Sequence, residues 1–119
     1  MLFKVAYVDD EIDMCKMFVD NFSSSEIFIK YFCDPQMFLD EFKNQEFDLI
    51  IVDYRFPNTN GDKIAKDLDS NIPKVLVSGD LHINPRQEFL RIFTKPFDFE
   101  EMEIFLKTLA VQKKLKKSS

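Results

Sequence analysis

Residues 47–53, FDLIIVD, decide the fold: an apolar run of strand length that stops at a carboxylate. Apart from Asp48, the run does not alternate with polar residues as a strand with one wet face would. It suits a parallel strand covered on both faces. Two further runs end in charge. Residues 2–8 (LFKVAYV) lead into Asp9 and Asp10, and residues 91–94 (RIFT) lead into Lys95. Charges are costly inside a protein, so three carboxylates and an ammonium converging on one sheet edge need a strong partner. A divalent cation and a phosphoryl group together would supply it.

Outward from these runs, strand and helix patterns alternate without internal repeats. Residues 11–22 place Ile12, Cys15, Phe18, Val19 and Phe22 at helical spacing, with Asp10 as the expected N-cap. Ser23, Ser24 and Ser25 form a turn into a strand over 27–32 (IFIKYF). Asp34 and Pro35 read as the cap and first position of a helix over 36–44. A short helix is expected over 62–69, strands over 74–78 (KVLVS) and 92–94, and a closing helix over 99–114 capped by Asp98. The inward stripe of that last helix reads Met102, Phe105, Leu106, Leu109 and Leu115. Five strands separated by helices predict an α/β fold, a doubly wound parallel sheet. In such sheets the site lies beyond the carboxyl ends of the strands, where Asp9, Asp10, Asp53 and Ser78 all fall.

The chain of 119 residues reads as a single domain over 1–119. Fourteen Phe and no Trp predict a Phe-rich core. The opening MLFKVAYVDD lacks the layout of a signal peptide and no run is long enough to span a bilayer, so the expected location is cytoplasmic, away from membranes. Cys15 and Cys33, with no Cys-x-x-Cys and one His in the chain, read as buried free thiols rather than a disulfide or a zinc site. Net charge is −5, yet Lys113, Lys114, Lys116 and Lys117 crowd the tail over 113–119; without it 12 cations face 21 carboxylates, a net −9. An acidic body argues against direct nucleic-acid binding. The basic tail reads as a solvated helix end that suits the macrodipole.

Two adjacent carboxylates after the first strand, facing a third after the third strand, make a site of hard oxygens suited to Mg2+. With the metal present, Asp53 can act as nucleophile toward phosphorus and form an acyl phosphate. Lys95 would counter charge on the phosphoryl oxygens, and the Ser78 hydroxyl would donate to one of them. Capping accounts for Asp10 but not for Asp53, which precedes a turn.

These residues make the chain resemble the receiver domain of two-component response regulators. The resemblance rests on Asp9-Asp10 after strand one, on Asp53 followed by Pro57 and Gly61 (DYRFPNTNG), on Ser78-Gly79 after strand four and on Lys95-Pro96 after strand five. It implies a flavodoxin-like strand order 2-1-3-4-5, with Asp53 as phospho-acceptor and Asp9, Asp10, Asp53 and the backbone carbonyl of Arg55 around Mg2+. It also implies that Ser78 and Lys95 follow the phosphoryl group and that the Lys95–Pro96 bond is cis. The implied function is a magnesium-dependent switch in a phosphorelay, phosphorylated by a histidine kinase or a histidine phosphotransfer protein, which loses its own phosphate rather than turning over as an enzyme. Gly61 reads as a turn glycine.

The sequence departs from that family in two places. Sixteen residues separate Ser78 from Lys95, and Pro85 interrupts them, so the fourth helix is expected to be shortened, displaced or missing. The family often carries an aromatic three residues before the Lys; here that position is Ile92, and Phe93 should face the other side of the sheet. Arg55 and Asp80 are placed to pair over the site and slow attack by water. The departures favour a second reading, a receiver that serves as an interaction module without phosphate. A covalent aspartyl phosphatase of the haloacid-dehalogenase type would want an Asp two residues after the nucleophile, where this chain has Arg55.

Overall fold

The computed structural model describes residues 2–68 and 71–118, with the side chains of 117 and 118 left aside. Five parallel strands stand in the order β2-β1-β3-β4-β5: β1 (Phe3–Val8), β2 (Ile27–Phe32), β3 (Leu49–Asp53), β4 (Lys74–Ser78) and β5 (Arg91–Thr94). The helices are α1 (Ile12–Phe22), α2 (Pro35–Phe42), α3 (Gly61–Lys66) and α4 (Phe99–Ser118). The doubly wound order expected from the resemblance is the order observed. Asp69, expected to end the third helix, and the Lys117 side chain of the basic tail lie outside the described residues.

Period-two alternation divides the central strands between two cores. Val5, Tyr7, Leu49, Ile51, Val75 and Val77 join Phe18, Phe22, Met102 and Leu106 on the α1 and α4 side. Ala6, Val8, Ile50, Val52 and Leu76 join Phe38 and Ile64 on the α2 and α3 side. Both faces being dry, β3 and β4 are buried throughout, which is why their sequences do not alternate. Phe residues fill both layers, and Phe18 stacks on Tyr7 with ring centroids 4.2 Å apart.

Three local expectations need correction. Asp10 does not cap α1: Glu11 takes that position without a side-chain bond, because the buried Asp9 carboxylate accepts the Glu11 N–H at 3.0 Å. Leu115 is exposed, and Ala110 fills the last core position of α4. The helix has 20 residues, roughly 30 Å at 1.5 Å per residue, and outruns strands of four to six residues. The basic tail is not merely solvated, for Lys113 bonds Asp48 at 2.8 Å and Lys114 bonds Glu26 at 3.2 Å. The other caps hold: Asp34 accepts from Gln36 N, and Asp98 from Glu101 N.

Between β4 and β5 the fourth helix of the expected fold is missing. Residues 79–90 instead cross the sheet as an irregular strap, with Ile83 and Phe89 packed on the second core. Asp62 of α3 holds it, accepting from the backbone N–H of Arg86 and Gln87 at 2.9–3.1 Å. Beside the strap Ile92 is about half exposed, whereas Phe93 is buried against Phe97 and Phe105, as the alternation predicted. No described helix is long and apolar enough to cross a membrane.

Candidate functional site

Strand order determines which chain ends meet. β1 and β3 are paired neighbours, so Asp9, just past β1, stands beside Asp53, the last residue of β3. After β5 the Lys95 N–H bonds the Ser78 carbonyl at 2.8 Å, and the Lys95–Pro96 bond is cis. The Lys95 side chain turns back over β3 to place Nζ 3.0 Å from Asp9 Oδ2 and 3.3 Å from Asp53 Oδ1. Carboxylate oxygens of Asp9, Asp10 and Asp53 lie within 4.8 Å of one another.

The three acids differ in what they are free to do. Asp9 is fully buried and fully engaged: Oδ2 accepts from Tyr7 Oη at 3.1 Å and from Lys95, and Oδ1 accepts from the Glu11 N–H. Asp53 spends Oδ1 on Lys95 and on the Tyr54 N–H at 3.0 Å, while Oδ2 makes no hydrogen bond among the described residues. Asp10 is exposed and also unbonded among them. These groups edge an open cleft of about 430 Å³, lined by Asp10, Asp53, Arg55, Phe56, Gly79 and Lys95 among others.

Crowding appears in the titration. Burial and then the Asp9 charge push the Asp53 carboxyl up to about 6, against the pull of Lys95 and the Tyr54 N–H. Burial pulls the Lys95 ammonium down, but Asp9 and Asp53 outweigh it and hold its pKa above the ordinary lysine value. Burial, with Asp9 alongside, raises the Tyr7 phenol well beyond its usual range, so it stays a donor to Asp9. Three carboxylates against one ammonium leave two negative charges in hard-oxygen surroundings, a donor set that fits Mg2+.

Asp9, Asp10, Asp53 and Lys95 are thus together, while the Ser78 hydroxyl is engaged with Asp80. It is buried at the end of β4, accepting from the Asp80 N–H at 2.9 Å and donating to the Asp80 carbonyl at 3.1 Å. Arg55 and Asp80 pair as anticipated, Nη2 to Oδ2 at 2.9 Å, with Arg55 largely exposed at the cleft mouth.

The family model for the response regulator receiver domain matches residues 5–107. The chain belongs to this family. Solved structures agree on the fold at low identity. The receiver domain of a Francisella response regulator is 22% identical, with TM-score 0.79 and coverage of 92% of this chain and 98% of that one. Response regulator TrrA of Thermotoga maritima, crystallised with Mg(2+)-BeF, is 20% identical, with TM-score 0.79 over 92% and 99%. The signal receiver domain of a putative Luxo repressor protein from Vibrio parahaemolyticus is 13% identical, with TM-score 0.83 over 98% and 96%. No curated protein sequence matches this receiver.

One supporting residue, Tyr7, escaped sequence reasoning, and a second, Gly61, plays another part than that of the turn glycine expected. Tyr7 reads as a core strand residue, and nothing in its pattern announces a hydroxyl bonded to Asp9. Gly61 is the buried first residue of α3, not a residue needed for a left-handed turn: a Cβ there would stand 2.4 Å from the Asp53 carbonyl oxygen and 2.8 Å from Leu76 Cδ1. Only a hydrogen fits where α3 begins against the acceptor strand.

Proposed function

We propose that this receiver is a phospho-accepting switch of a cytoplasmic phosphorelay, in which Asp53 takes a phosphoryl group from a histidine kinase or a histidine phosphotransfer protein. The observation that carries the reading is a buried Asp53 that pairs one carboxylate oxygen with Lys95 and lines an open cleft. Asp53 Oδ2 attacks phosphorus; a P–O bond forms as the P–N bond of the donor breaks, and the electron pair leaves on the imidazole nitrogen. Mg2+ would be held by Asp9, Asp10, Asp53 and the Arg55 carbonyl, where it would neutralise charge on the phosphoryl oxygens. Lys95 takes one phosphoryl oxygen. Ser78, released from Asp80, donates to another, and the loop that begins at Ser78 changes population accordingly. Water later breaks the acyl phosphate, so the domain is a self-resetting switch rather than a turnover enzyme.

Incubation with acetyl phosphate and Mg2+, followed by intact mass, tests the reading. Wild type should gain one phosphoryl group and Asp53→Asn none; an unmodified wild type would favour an interaction module that works without phosphate. The strap in place of a helix between β4 and β5 is the feature in that second reading's favour.

A further inference from the structure

Behind the acid cleft, β1 and β2 run in register to Val8 and Phe32, so the residues that leave them stay close. Cys33 follows β2 directly, and Cys15 stands in the first turns of α1. Their sulfurs are 3.8 Å apart, the Cys33 thiol donating to Cys15 Sγ, and Cys15 in turn donating to the Asp9 carbonyl at 3.2 Å. The chain of contacts therefore runs from Cys33 through Cys15 into the backbone of the Asp9-Asp10 loop. Both cysteines are free, and their exposure differs. Cys15 is fully buried, whereas Cys33 is half-buried and lines an open groove of about 590 Å³ that it shares with Asp10, Asp34, Leu39 and Phe56. A small oxidant reaches Cys33 through that groove while Cys15 waits behind it. A sulfur–sulfur bond is about 2.05 Å long, so closure asks for a shift of under roughly 2 Å between the end of β2 and the start of α1.

We propose that Cys15 and Cys33 form a modification site, a dithiol that a peroxide converts to a disulfide, and that closure withdraws Cys15 from Asp9 and weakens the metal loop. The second half rests on the function proposed above. In the first step the Cys33 sulfur attacks a peroxide oxygen; an S–O bond forms, the O–O bond breaks, and after proton transfer one water leaves. In the second, Cys15 attacks the sulfenic sulfur; the S–S bond forms, the S–O bond breaks, and the Cys15 proton departs in a second water. Two thiols and one hydrogen peroxide give one disulfide and two waters, each sulfur oxidised by one electron and each peroxide oxygen reduced by one.

The test treats the whole chain with hydrogen peroxide, maps the cysteine peptides by mass, and titrates Mg2+ by calorimetry before and after dithiothreitol. The linked Cys15–Cys33 peptide should appear about 2 Da below the sum of its thiol forms and vanish with the reductant. Oxidised protein should bind Mg2+ roughly tenfold more weakly, the scale at which support around metal ligands acts, and Cys33→Ser should bind Mg2+ as the reduced wild type does, before and after peroxide. Whole oxygen atoms added at Cys33, or thiols left intact, would overturn the pairing. A disulfide that leaves Mg2+ affinity unchanged would overturn the coupling. If reduced wild type fails to bind Mg2+, the phospho-acceptor reading falls and takes the coupling with it, while the peptide map still judges the pair.

Discussion

The acid cleft and the strap over 79–90 part company at Ser78, and they are held in opposite ways. In the cleft every anchor is a strand end: Asp9, Asp53 and Lys95 sit where β1, β3 and β5 stop, and ion pairs of 3.0 and 3.3 Å link strands far apart in sequence. The strap has no element of its own. Asp62 holds its far end through two backbone N–H groups, and Arg55 holds its near end through Asp80. A buried charge network resists change because each member leaves the others unpaired. Surface contacts of the strap's kind are individually weak and let go separately. The two regions share Ser78, whose hydroxyl serves the strap in this structure and would serve a phosphoryl group in the proposed phosphorylated state.

Substitutions can break this contrast. Lys95→Met should have the largest effect, lowering metal-free stability by about 3 kcal/mol because Asp9 and Asp53 lose their shared cation in a buried place. Urea unfolding reads the loss, and added Mg2+ should restore part of it. The Asp53 titration gives a comparable figure in a defined window. Its carboxyl ionises near 3.8 in the unfolded chain and about 6 in the fold, so the unfolded chain sheds its proton first. Metal-free stability should therefore fall as pH rises from about 4 to about 6, by about 3 kcal/mol in all, and Asp53→Asn should flatten the slope. Asp62→Ala is expected to act on the strap alone, costing about 1–2 kcal/mol and speeding hydrogen exchange at Arg86 and Gln87, with phosphorylation from acetyl phosphate intact. A lost acceptor activity there would show that strap and cleft are one unit. Smallest in stability is Arg55→Ala, whose side chain is 75% exposed. Its unfolding midpoint should hardly move, but phosphoryl loss should quicken if the Arg55–Asp80 pair screens the acyl phosphate; an unchanged rate would remove that role.

Much of this receiver could be read without coordinates because apolar runs and their terminal charges are adjacent in the chain. FDLIIV ending in Asp53, LFKVAYV ending in Asp9-Asp10 and RIFT ending in Lys95 state both the strand and the residue at its carboxyl end. Parallel strands then put those ends on one edge, whatever the helices do. Pro85 and the short interval before Lys95 likewise announced a fourth helix that would be shortened, displaced or missing. What only the tertiary structure decided are contacts between residues with no local signal. Tyr7 reaches Asp9 because it lies on the α1 face of β1, and Gly61 meets the Asp53 carbonyl because α3 starts against β3. Asp10 left the cap to its neighbour because burial had already oriented Asp9 toward the Glu11 N–H. Lys113 and Lys114 found Asp48 and Glu26 because α4 returns along the sheet toward the amino ends of its strands. Periodicity reports which way a residue faces; which partner waits there depends on how burial orients near neighbours such as Asp9 and on which distant segments folding brings in, as for Lys113 and Lys114.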